Sequence, residues 1–222
     1  MSKALRVVVP PHPLIGHWLT LLRDQDTPSA LFGTARAELG RWLTYEALRD
    51  WIPYQRVAVQ TPLAPTEGTV VDASVPLLAV PLLRGGLGLW EGARSVLPHA
   101  ALAPMALEQT ATGTVSSPFN GLPGSIPDRA GVLVFAPQVA TGSRLLHVLE
   151  QLERRGVQGV RVRVITCVAS SPGLKRLGER YGDLTLYTGC IDAELDPEQR
   201  ILPGLGDPGD RLCGLSGSGF VG

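Results

Sequence analysis

The fold is decided by the stretch Val134-Phe135-Ala136-Pro137-Gln138-Val139-Ala140-Thr141-Gly142-Ser143-Arg144. A short apolar strand runs into small residues, and a helix follows. In such a turn the backbone N–H groups converge on one point, and the helix dipole favours an anion there. Thr141 and Ser143 add hydroxyl donors, and Gly142 permits close approach of the backbone. The stretch therefore indicates a phosphate loop. The spacing alone favours an alternative, an ordinary strand-to-helix turn with a serine cap, because short glycine motifs give many false matches.

Strands alternate with helices on both sides of this stretch. Residues 77–83 form a nearly unbroken apolar run, which is typical of a strand buried on both faces. Further strands are predicted at 132–135, 160–168 and 184–187. Helices are predicted from the glycine cluster after residue 84 to about 97, at 144–155 and at 172–181. This order predicts an α/β fold with a parallel sheet flanked by helices. Loops that follow the strands then share one edge, where ligands bind in such sheets.

The amino-terminal part is predicted to be mainly helical. One helix covers residues 14–23, and a second runs from Ser29, a candidate cap, to about residue 51. A strand at 54–59 and a loop at 62–68 follow. The apolar positions of the second helix recur at helical spacing and are Leu31, Ala35, Leu39, Trp42 and Leu43.

The middle of the chain and its end differ from the rest in composition. Residues 100–129 are rich in Ala, Thr, Ser, Gly and Pro and carry little charge, which indicates a strand followed by a flexible hairpin. Residues 1–214 are expected to form one domain. The Gly- and Ser-rich residues 215–222 are expected to be a flexible tail.

A second candidate site follows the apolar run at residues 77–83. The sequence there is Val80-Pro81-Leu82-Leu83-Arg84-Gly85-Gly86-Leu87-Gly88. An arginine at the carboxyl end of a central strand suits phosphate binding, because its planar fork matches phosphate oxygens. The alternative, a surface arginine beside a packing glycine, is equally consistent with the sequence.

A third candidate lies near the carboxyl end, and it reads Ile201-Leu202-Pro203-Gly204-Leu205-Gly206-Asp207-Pro208-Gly209-Asp210-Arg211. Glycines and prolines fix an unusual backbone path from which two carboxylates project. Such a loop can present backbone groups to the edge of a flat ligand. The alternative is a rigid loop with aspartate turns.

Charge and composition narrow the class of protein. The 222 residues contain 20 Lys and Arg and 20 Asp and Glu, so the net charge is zero. General nucleic-acid binding needs a basic face and is therefore not expected. The three cysteines, Cys167, Cys190 and Cys213, lack metal-ligand spacing and are expected to be buried free thiols in a reducing compartment. No apolar run predicts a membrane helix, and residues 1–9 lack a signal-peptide pattern, so a cytoplasmic protein is expected.

Taken in order, these segments resemble the uracil phosphoribosyltransferase family. The resemblance covers nearly the whole chain and is most specific in the last segment. It rests on His12-Pro13-Leu14, Leu22-Arg23-Asp24-Gln25-Asp26-Thr27, Leu43-Thr44-Tyr45-Glu46-Ala47, Pro81-Leu82-Leu83-Arg84-Gly85-Gly86-Leu87-Gly88, Ala140-Thr141-Gly142-Ser143, Leu186-Tyr187-Thr188 and Pro203-Gly204-Leu205-Gly206-Asp207-Pro208-Gly209-Asp210.

The resemblance implies a glycosyltransferase of pyrimidine salvage. The family joins uracil to 5-phosphoribosyl-1-diphosphate with Mg²⁺ and releases UMP and pyrophosphate. The implied fold is a phosphoribosyltransferase-type parallel sheet flanked by helices, with a small hood and a flexible hairpin. Homo-oligomers are expected, and some members respond to GTP as an effector. The transition state is expected to resemble an oxocarbenium ion, so that catalysis rests on positioning and charge stabilisation.

The resemblance also implies roles for individual residues. Arg84 and Asp207 are the expected catalytic residues. Arg84 would meet the diphosphate, and Asp207 falls between the base and the donor. No metal-ligating side chains are assigned. The expected donor-binding loop consists of Ala136, Pro137, Gln138, Val139, Ala140, Thr141, Gly142, Ser143 and Arg144, together with Arg84 and Asp207. The expected uracil-binding residues are Ile201, Gly206, Asp207 and Pro208.

Four positions depart from the family pattern. Ala136 stands where an aspartate would meet the ribose hydroxyls, and residues 105–110 lack the family's pyrophosphate arginine. Ser143 and Arg144 replace a glycine and a serine. Arg144 is either a new cation beside the loop or, more simply, a solvated arginine. Pro208 replaces a residue that has a backbone N–H.

These departures predict weak but measurable activity. Loss of one charge-stabilising donor costs about 10²–10³ in rate. Two alternatives remain at this stage. One is a phosphoribosyltransferase for another base, and the other is a catalytically weakened homologue that acts as a nucleotide-binding or regulatory protein.

Overall fold

A computed structural model describes residues 4–97, 99–110, 112–216 and 219–220 of the chain. A sheet of eight strands forms its centre, and three pairs of strands lie outside that sheet. The strands are β1 (Arg6–Val8), β2 (Tyr54–Gln60), β3 (Pro65–Val71), β4 (Leu77–Leu83), β5 (Ala101–Leu102), β6 (Met105–Gln109), β7 (Val115–Asn120), β8 (Gly131–Ala136), β9 (Val162–Ser170), β10 (Thr185–Asp192), β11 (Glu194–Leu195), β12 (Ile201–Leu202), β13 (Leu215–Ser216) and β14 (Gly219–Phe220).

The central sheet is mostly parallel, as the sequence predicts. Its strand order is β1-β10-β9-β8-β4-β6-β7, and β5 pairs with β4. Only β7 is antiparallel to its neighbour. Every residue of β8 and β9 is buried, which explains why these strands read as continuous apolar runs. The edge strand β1 was not predicted, because three residues without alternation carry little signal.

Helices cover both faces of the sheet and divide its core in two. The helices are α1 (Pro13–Arg23), α2 (Ser29–Leu48), α3 (Gly86–Ala93), α4 (Ser143–Glu153), α5 (Ser171–Gly178) and α6 (Pro208–Cys213). Along β8, Leu133 and Phe135 join the cluster formed with α1, α2 and α3, whereas Val132 and Val134 join the cluster formed with α4 and α5. This alternation follows from the two-residue period of a strand. No helix in the described ranges is long and apolar enough to span a membrane.

Two details of the amino-terminal helices differ from the prediction. Pro28, not Ser29, is the N-cap of α2, and no side chain caps this helix. Of the predicted stripe of α2, Ala35, Leu39 and Leu43 are buried, but Phe32 is buried in place of Leu31, which is 40% exposed. Helical spacing gives the period of an apolar face, but it leaves the phase open where apolar residues are adjacent.

Two pairs of strands that follow each other in the chain form antiparallel hairpins, β2 with β3 and β6 with β7. β6 and β7 make the hairpin that the sequence predicts within residues 100–129. The predicted loop at 62–68 is correct for the turn at 62–64 but wrong for residues 65–68, which belong to β3 and pair with β2. The glycine and proline of β3 favour a loop, and they masked the strand signal of its threonine and valine residues. In the predicted tail, β13 pairs with β14, and residues 217, 218, 221 and 222 lie outside the described residues.

Candidate active site

The site lies where the direction of the chain across the sheet reverses. From β8 the chain continues to β9 and β10 on one side, whereas from β4 it continues to β6 and β7 on the other side. β4 and β8 are parallel neighbours, with Pro81 opposite Phe135. In parallel sheets the ligand usually binds at such a switch point, in the crevice outside the carboxyl ends of the strands.

The turn after β4 packs directly against the loop after β8. A methyl group at Gly85 would lie 2.7 Å from Pro137 Cβ, and one at Gly86 would lie 2.3 Å from the Phe135 carbonyl oxygen. A side chain at either position would force the two segments apart. The two segments that the sequence singled out are therefore in contact, and the glycines permit that contact.

The phosphate loop has the predicted strand-to-helix geometry. Gly142 has a φ of 77° and is the N-cap of α4, which begins at Ser143. No side chain caps the helix, so the interpretation of Ser143 as a simple cap is wrong. The Thr141 and Ser143 hydroxyl oxygens are 3.0 Å apart and the segment is partly accessible. The amino end of the eleven-residue helix α4 and two hydroxyls thus lie together in the loop after β8, an arrangement that suits an anion.

Ser170 stabilises the loop through hydrogen bonds, and this residue was not predicted from the sequence. The Ser170 hydroxyl donates to the Ala140 carbonyl at 2.6 Å and accepts from the Gly173 N–H at 3.0 Å. The backbone N–H of Val139 also donates to the Val168 carbonyl at 2.9 Å. The signal for Ser170 was present, because Ser170-Ser171-Pro172 is a typical helix start.

Arg176 contacts a hydroxyl of the loop directly. Its Nη1 donates to Ser143 Oγ at 2.7 Å. Arg144, which the sequence offered as a new cation, is exposed on the first turn of α4. Arg176 lies on α5, 33 residues from Ser143, so only the packing of α5 beside the loop reveals it.

The donor-site alanine is less accessible than the sequence suggested. Ala136 is 1% exposed and belongs to the apolar cluster beneath α4 and α5. Gln138 is partly buried, and Pro137 contacts the turn after β4. A carboxylate at position 136 would therefore begin in an apolar environment.

The carboxyl-terminal loop reaches the same edge from the opposite end of the sequence. Arg84 Nη2 lies 2.9 Å from Asp210 Oδ1 in an ion pair that is about half exposed. This hydrogen bond raises the pKa of Arg84. Asp207 is the N-cap of α6 and accepts from the N–H groups of Gly209 and Asp210 at 2.8 and 2.9 Å. The structure thus brings both expected catalytic residues together.

Buried polar contacts fix the path of this loop. Asp192, at the end of β10, accepts from the Gly204 N–H at 2.9 Å and pairs with Arg23 at 2.6 Å. Gly204 and Gly206 have φ values of 61° and 72°, which favour glycine. Arg23 and Asp192 therefore anchor the segment that carries the expected base site.

The expected base-site residues differ in accessibility. Ile201 is buried in β12 and pairs with Leu195 of β11. Gly206 is exposed, whereas Pro208 is buried as the first residue of α6. Pro208 donates no hydrogen bond, but its carbonyl accepts from Arg36 Nη1 at 2.8 Å. We assign the predicted hood to β11, β12 and the loop that follows them.

Residues 105–110, where the family has its pyrophosphate arginine, lie at this same edge of the sheet and contain no cation. Met105 of β6 pairs with Leu82 of β4, so residues 105–110 lie beside the Arg84 turn. The segment contains one glutamate and no cation. Within the described ranges, no group of three or more His, Cys, Asp and Glu side chains could hold a metal ion.

The most unusual charged group of the site was missed in the sequence. Arg36 on α2 is fully buried, and its burial lowers the pKa of the guanidinium. Its side chain lies beneath the Arg84 turn, where a methyl group at Gly85 would be 2.7 Å from Arg36 Nη2. A signal existed, because Arg36 lies four residues after Phe32 and three before Leu39 on the buried stripe.

Comparison with known proteins gives one consistent result. The family model described as "Uracil phosphoribosyltransferase" matches residues 9–214. A uracil phosphoribosyltransferase of Synechococcus elongatus is 48% identical over 96% of this chain and 99% of its own length. The chloroplastic uracil phosphoribosyltransferase of Arabidopsis thaliana is 38% identical over 96% of this chain and 72% of its own. The solved structure of AQ2163 from Aquifex aeolicus is 30% identical, has a TM-score of 0.84 and is matched over 95% of this chain and 99% of that one.

Proposed function

This chain belongs to the uracil phosphoribosyltransferase family, and we propose that UMP and pyrophosphate form in the crevice between β4 and β8. The observation that carries this placement is the convergence of three loops at one edge. The Arg84 turn, the loop from Pro137 to Ser143 and the segment around Asp207 are joined by the packing of Gly85 on Pro137 and by the ion pair of Arg84 with Asp210.

The phosphate loop is proposed to bind the 5-phosphate of the donor. Its backbone N–H groups and the Thr141 and Ser143 hydroxyls supply hydrogen bonds to phosphate oxygens. Arg176 is already oriented by Ser143 and supplies the charge that the loop itself lacks. Arg176→Ala should therefore raise the donor concentration needed for half-maximal rate, whereas the exposed Arg144 should matter less.

Arg84 is proposed to bind the diphosphate. Its guanidinium is about half exposed, so a phosphate oxygen can replace or share the contact with Asp210. A bidentate arginine–phosphate pair fixes direction as well as distance. Arg84 would thus hold the leaving group while the C1–oxygen bond breaks, and it would stabilise the charge that pyrophosphate gains.

The segment from Ile201 to Pro208 is proposed to bind uracil. Asp207 is held in one orientation by two backbone N–H groups, and it lies one turn from the partner of Arg84. The new bond joins a ring nitrogen of uracil to C1 of the ribose, and that nitrogen loses its proton. Positioning of the base against an oxocarbenium-like carbon supplies most of the catalytic effect.

Mg²⁺ is proposed to reach the site on the diphosphate of the donor. Magnesium commonly uses one or two carboxylates, substrate phosphates and water rather than an all-protein cage. Asp207 and Asp210 are the carboxylates of this crevice that fit such a role. When bound, the ion neutralises phosphate charge. Chelation of Mg²⁺ should stop UMP synthesis, and restored Mg²⁺ should recover it.

The β2–β3 hairpin supports a homo-oligomer. It pairs with no other sheet of the described chain. Its exposed apolar side chains are Tyr54, Val59, Leu63, Val70 and Val71. Apolar surface on a projecting hairpin is typical of a contact between copies. GTP is proposed as an effector on family grounds alone. The three cysteines are free, although only Cys167 is buried as expected, whereas Cys190 is partly buried and Cys213 is exposed. Free thiols support a reducing compartment.

The decisive experiment is UMP synthesis from labelled uracil and the diphosphate donor with Mg²⁺. We expect a measurable rate that falls below that of close relatives, because Ala136 and the lack of a cation at residues 105–110 weaken donor binding. Hypoxanthine and guanine in place of uracil are the controls for base choice. A faster reaction with either purine would overturn the proposed base. GTP added to the same assay tests the effector.

A further inference from the structure

Arg36 is a buried charge without a carboxylate partner. It is the bulkiest of the fully buried side chains. Its Nη1 donates to the Pro208 carbonyl at 2.8 Å, but Nε and Nη2 have no hydrogen-bond partner among the described residues. No ion pair joins it to any described carboxylate. A guanidinium has five N–H donors, and the three on Nε and Nη2 remain without a partner here.

The position of Arg36 is defined by the three loops of the site. A methyl group at Gly85 would lie 2.7 Å from Nη2, and one at Gly88 would lie 2.6 Å from Cδ. The Pro208 carbonyl belongs to the base segment, and Pro137 of the phosphate loop packs on the same side of Gly85. Arg36 therefore lies directly behind the turn that presents Arg84.

Packing alone does not explain an arginine here. An uncharged side chain of similar volume would fill the space without the free-energy cost of burying a charge. Burial lowers the pKa of Arg36, and the Cys167 thiol and the Asp207 carboxylate partly offset that effect. Arginine nevertheless stays protonated in proteins, so the charge is permanent. A field of this kind is strong because few solvent molecules screen it.

We propose that Arg36 is a positioning residue whose buried charge supports the donor diphosphate from behind the Arg84 turn, and that its bond to Pro208 couples this support to the base segment. The inference rests on the proposed function. Negative charge grows on pyrophosphate as it departs, and a preoriented positive charge stabilises it without reorganisation. Arg36 thus supplies part of the charge that residues 105–110 do not provide.

The test compares Arg36→Met, which keeps volume and removes charge, with Arg36→Lys, which keeps charge. The matched control is Arg41→Met, on the same helix but partly exposed and paired with Glu38. Donor binding is measured by calorimetry, kcat and KM are measured for each substrate, and thermal unfolding is followed. Arg36→Met should weaken donor binding about tenfold or more and lower kcat, with a smaller change in the KM for uracil. Its unfolding temperature should stay equal or rise.

Arg36→Lys should bind the donor within about threefold of the unchanged protein. Equal donor affinity in the Met and Lys variants would overturn the proposal, as would a Met variant that loses stability but keeps donor affinity. If Arg36→Met does not fold, the donor affinities of Arg36→Lys and Arg36→Gln are compared in the same way. The proposed function fails separately, since it requires UMP synthesis by the unchanged protein, whereas donor binding can be measured without turnover.

Discussion

The two loops at the donor edge are built in opposite ways. The turn after β4 depends on the absence of side chains at Gly85 and Gly86, which lets these residues pack on Pro137 and on the Phe135 carbonyl. The loop after β8 depends on a side chain, because the Ser170 hydroxyl forms hydrogen bonds with both Ala140 and Gly173. Both loops follow a buried strand and lead into a helix. The difference shows that adding atoms should damage the first loop, whereas removing atoms should damage the second.

The largest effect on this comparison is expected from Arg84→Ala. The substitution removes the cation that the turn presents and also its tie to Asp210. The rate of UMP synthesis should fall by about 10²–10³. Arg84→Lys should be intermediate, because a lysine keeps the charge but not the fork. Arg94→Ala, at the far end of α3, is the control. An unchanged rate in Arg84→Ala would show that this turn is not part of the donor site.

Gly86→Ala tests the packing of the same turn. The added methyl group would meet the Phe135 carbonyl oxygen at 2.3 Å, so the turn must move away from β8. We expect a loss of about 1–3 kcal/mol in the free energy of unfolding, measured in urea. Gly16→Ala is the matched control, because no atom lies within 4 Å of its added methyl group and α1 should gain about 0.5–1 kcal/mol. Equal effects of the two substitutions would contradict the comparison.

Ala136→Asp tests whether the second loop can regain a missing group. Donor affinity should rise about tenfold, or about 1.4 kcal/mol, if the carboxylate meets the ribose hydroxyls. Ala136 is buried, so without the donor the aspartate variant should melt at a lower temperature than the unchanged protein. The donor should therefore raise the melting temperature more in the variant. Ala136→Asn separates charge from shape, and unimproved donor binding in the aspartate variant would speak against the ribose contact.

The smallest effect is expected from Ser170→Ala. It removes the hydroxyl that caps α5 and holds the Ala140 carbonyl. Loss of such a cap costs about 0.5–2 kcal/mol of stability, and the loosened loop should bind the donor more weakly. Ser171→Ala alters the exposed neighbour and should change little. Calorimetric unfolding and donor titration measure both effects, and identical results for the two serines would refute the role of Ser170.

The sequence predicted the elements that its own periodicity encodes. The apolar runs gave β4, β8, β9 and β10 as parallel strands, and the glycine turns placed Arg84 and the phosphate loop at strand ends. The first turn of α4 also begins where the sequence places it. These features are local, because burial on both faces and the change from strand to helix are written in adjacent residues.

The features that the sequence did not predict depend on distant contacts. Arg176 meets Ser143 and Arg36 meets Pro208 across 33 and 172 residues. Arg36 borders the predicted stripe of Ala35, Leu39 and Leu43, but an arginine at such a position is usually solvated, so its burial could not be predicted from the spacing alone. The burial of Ala136 likewise follows from α4 and α5 packing below β8, which no local pattern shows.

The ion pair between Arg84 and Asp210 joins residues that are made at very different times. A ribosome completes every strand of the central sheet by Asp192, before Pro208 and Asp210 exist. The core can therefore assemble around Arg36 while its Pro208 acceptor is still unsynthesised. A chain that stopped after Asp192 would carry the donor loops without the base segment. The order of synthesis thus makes the proposed base segment the last part of the site to be completed.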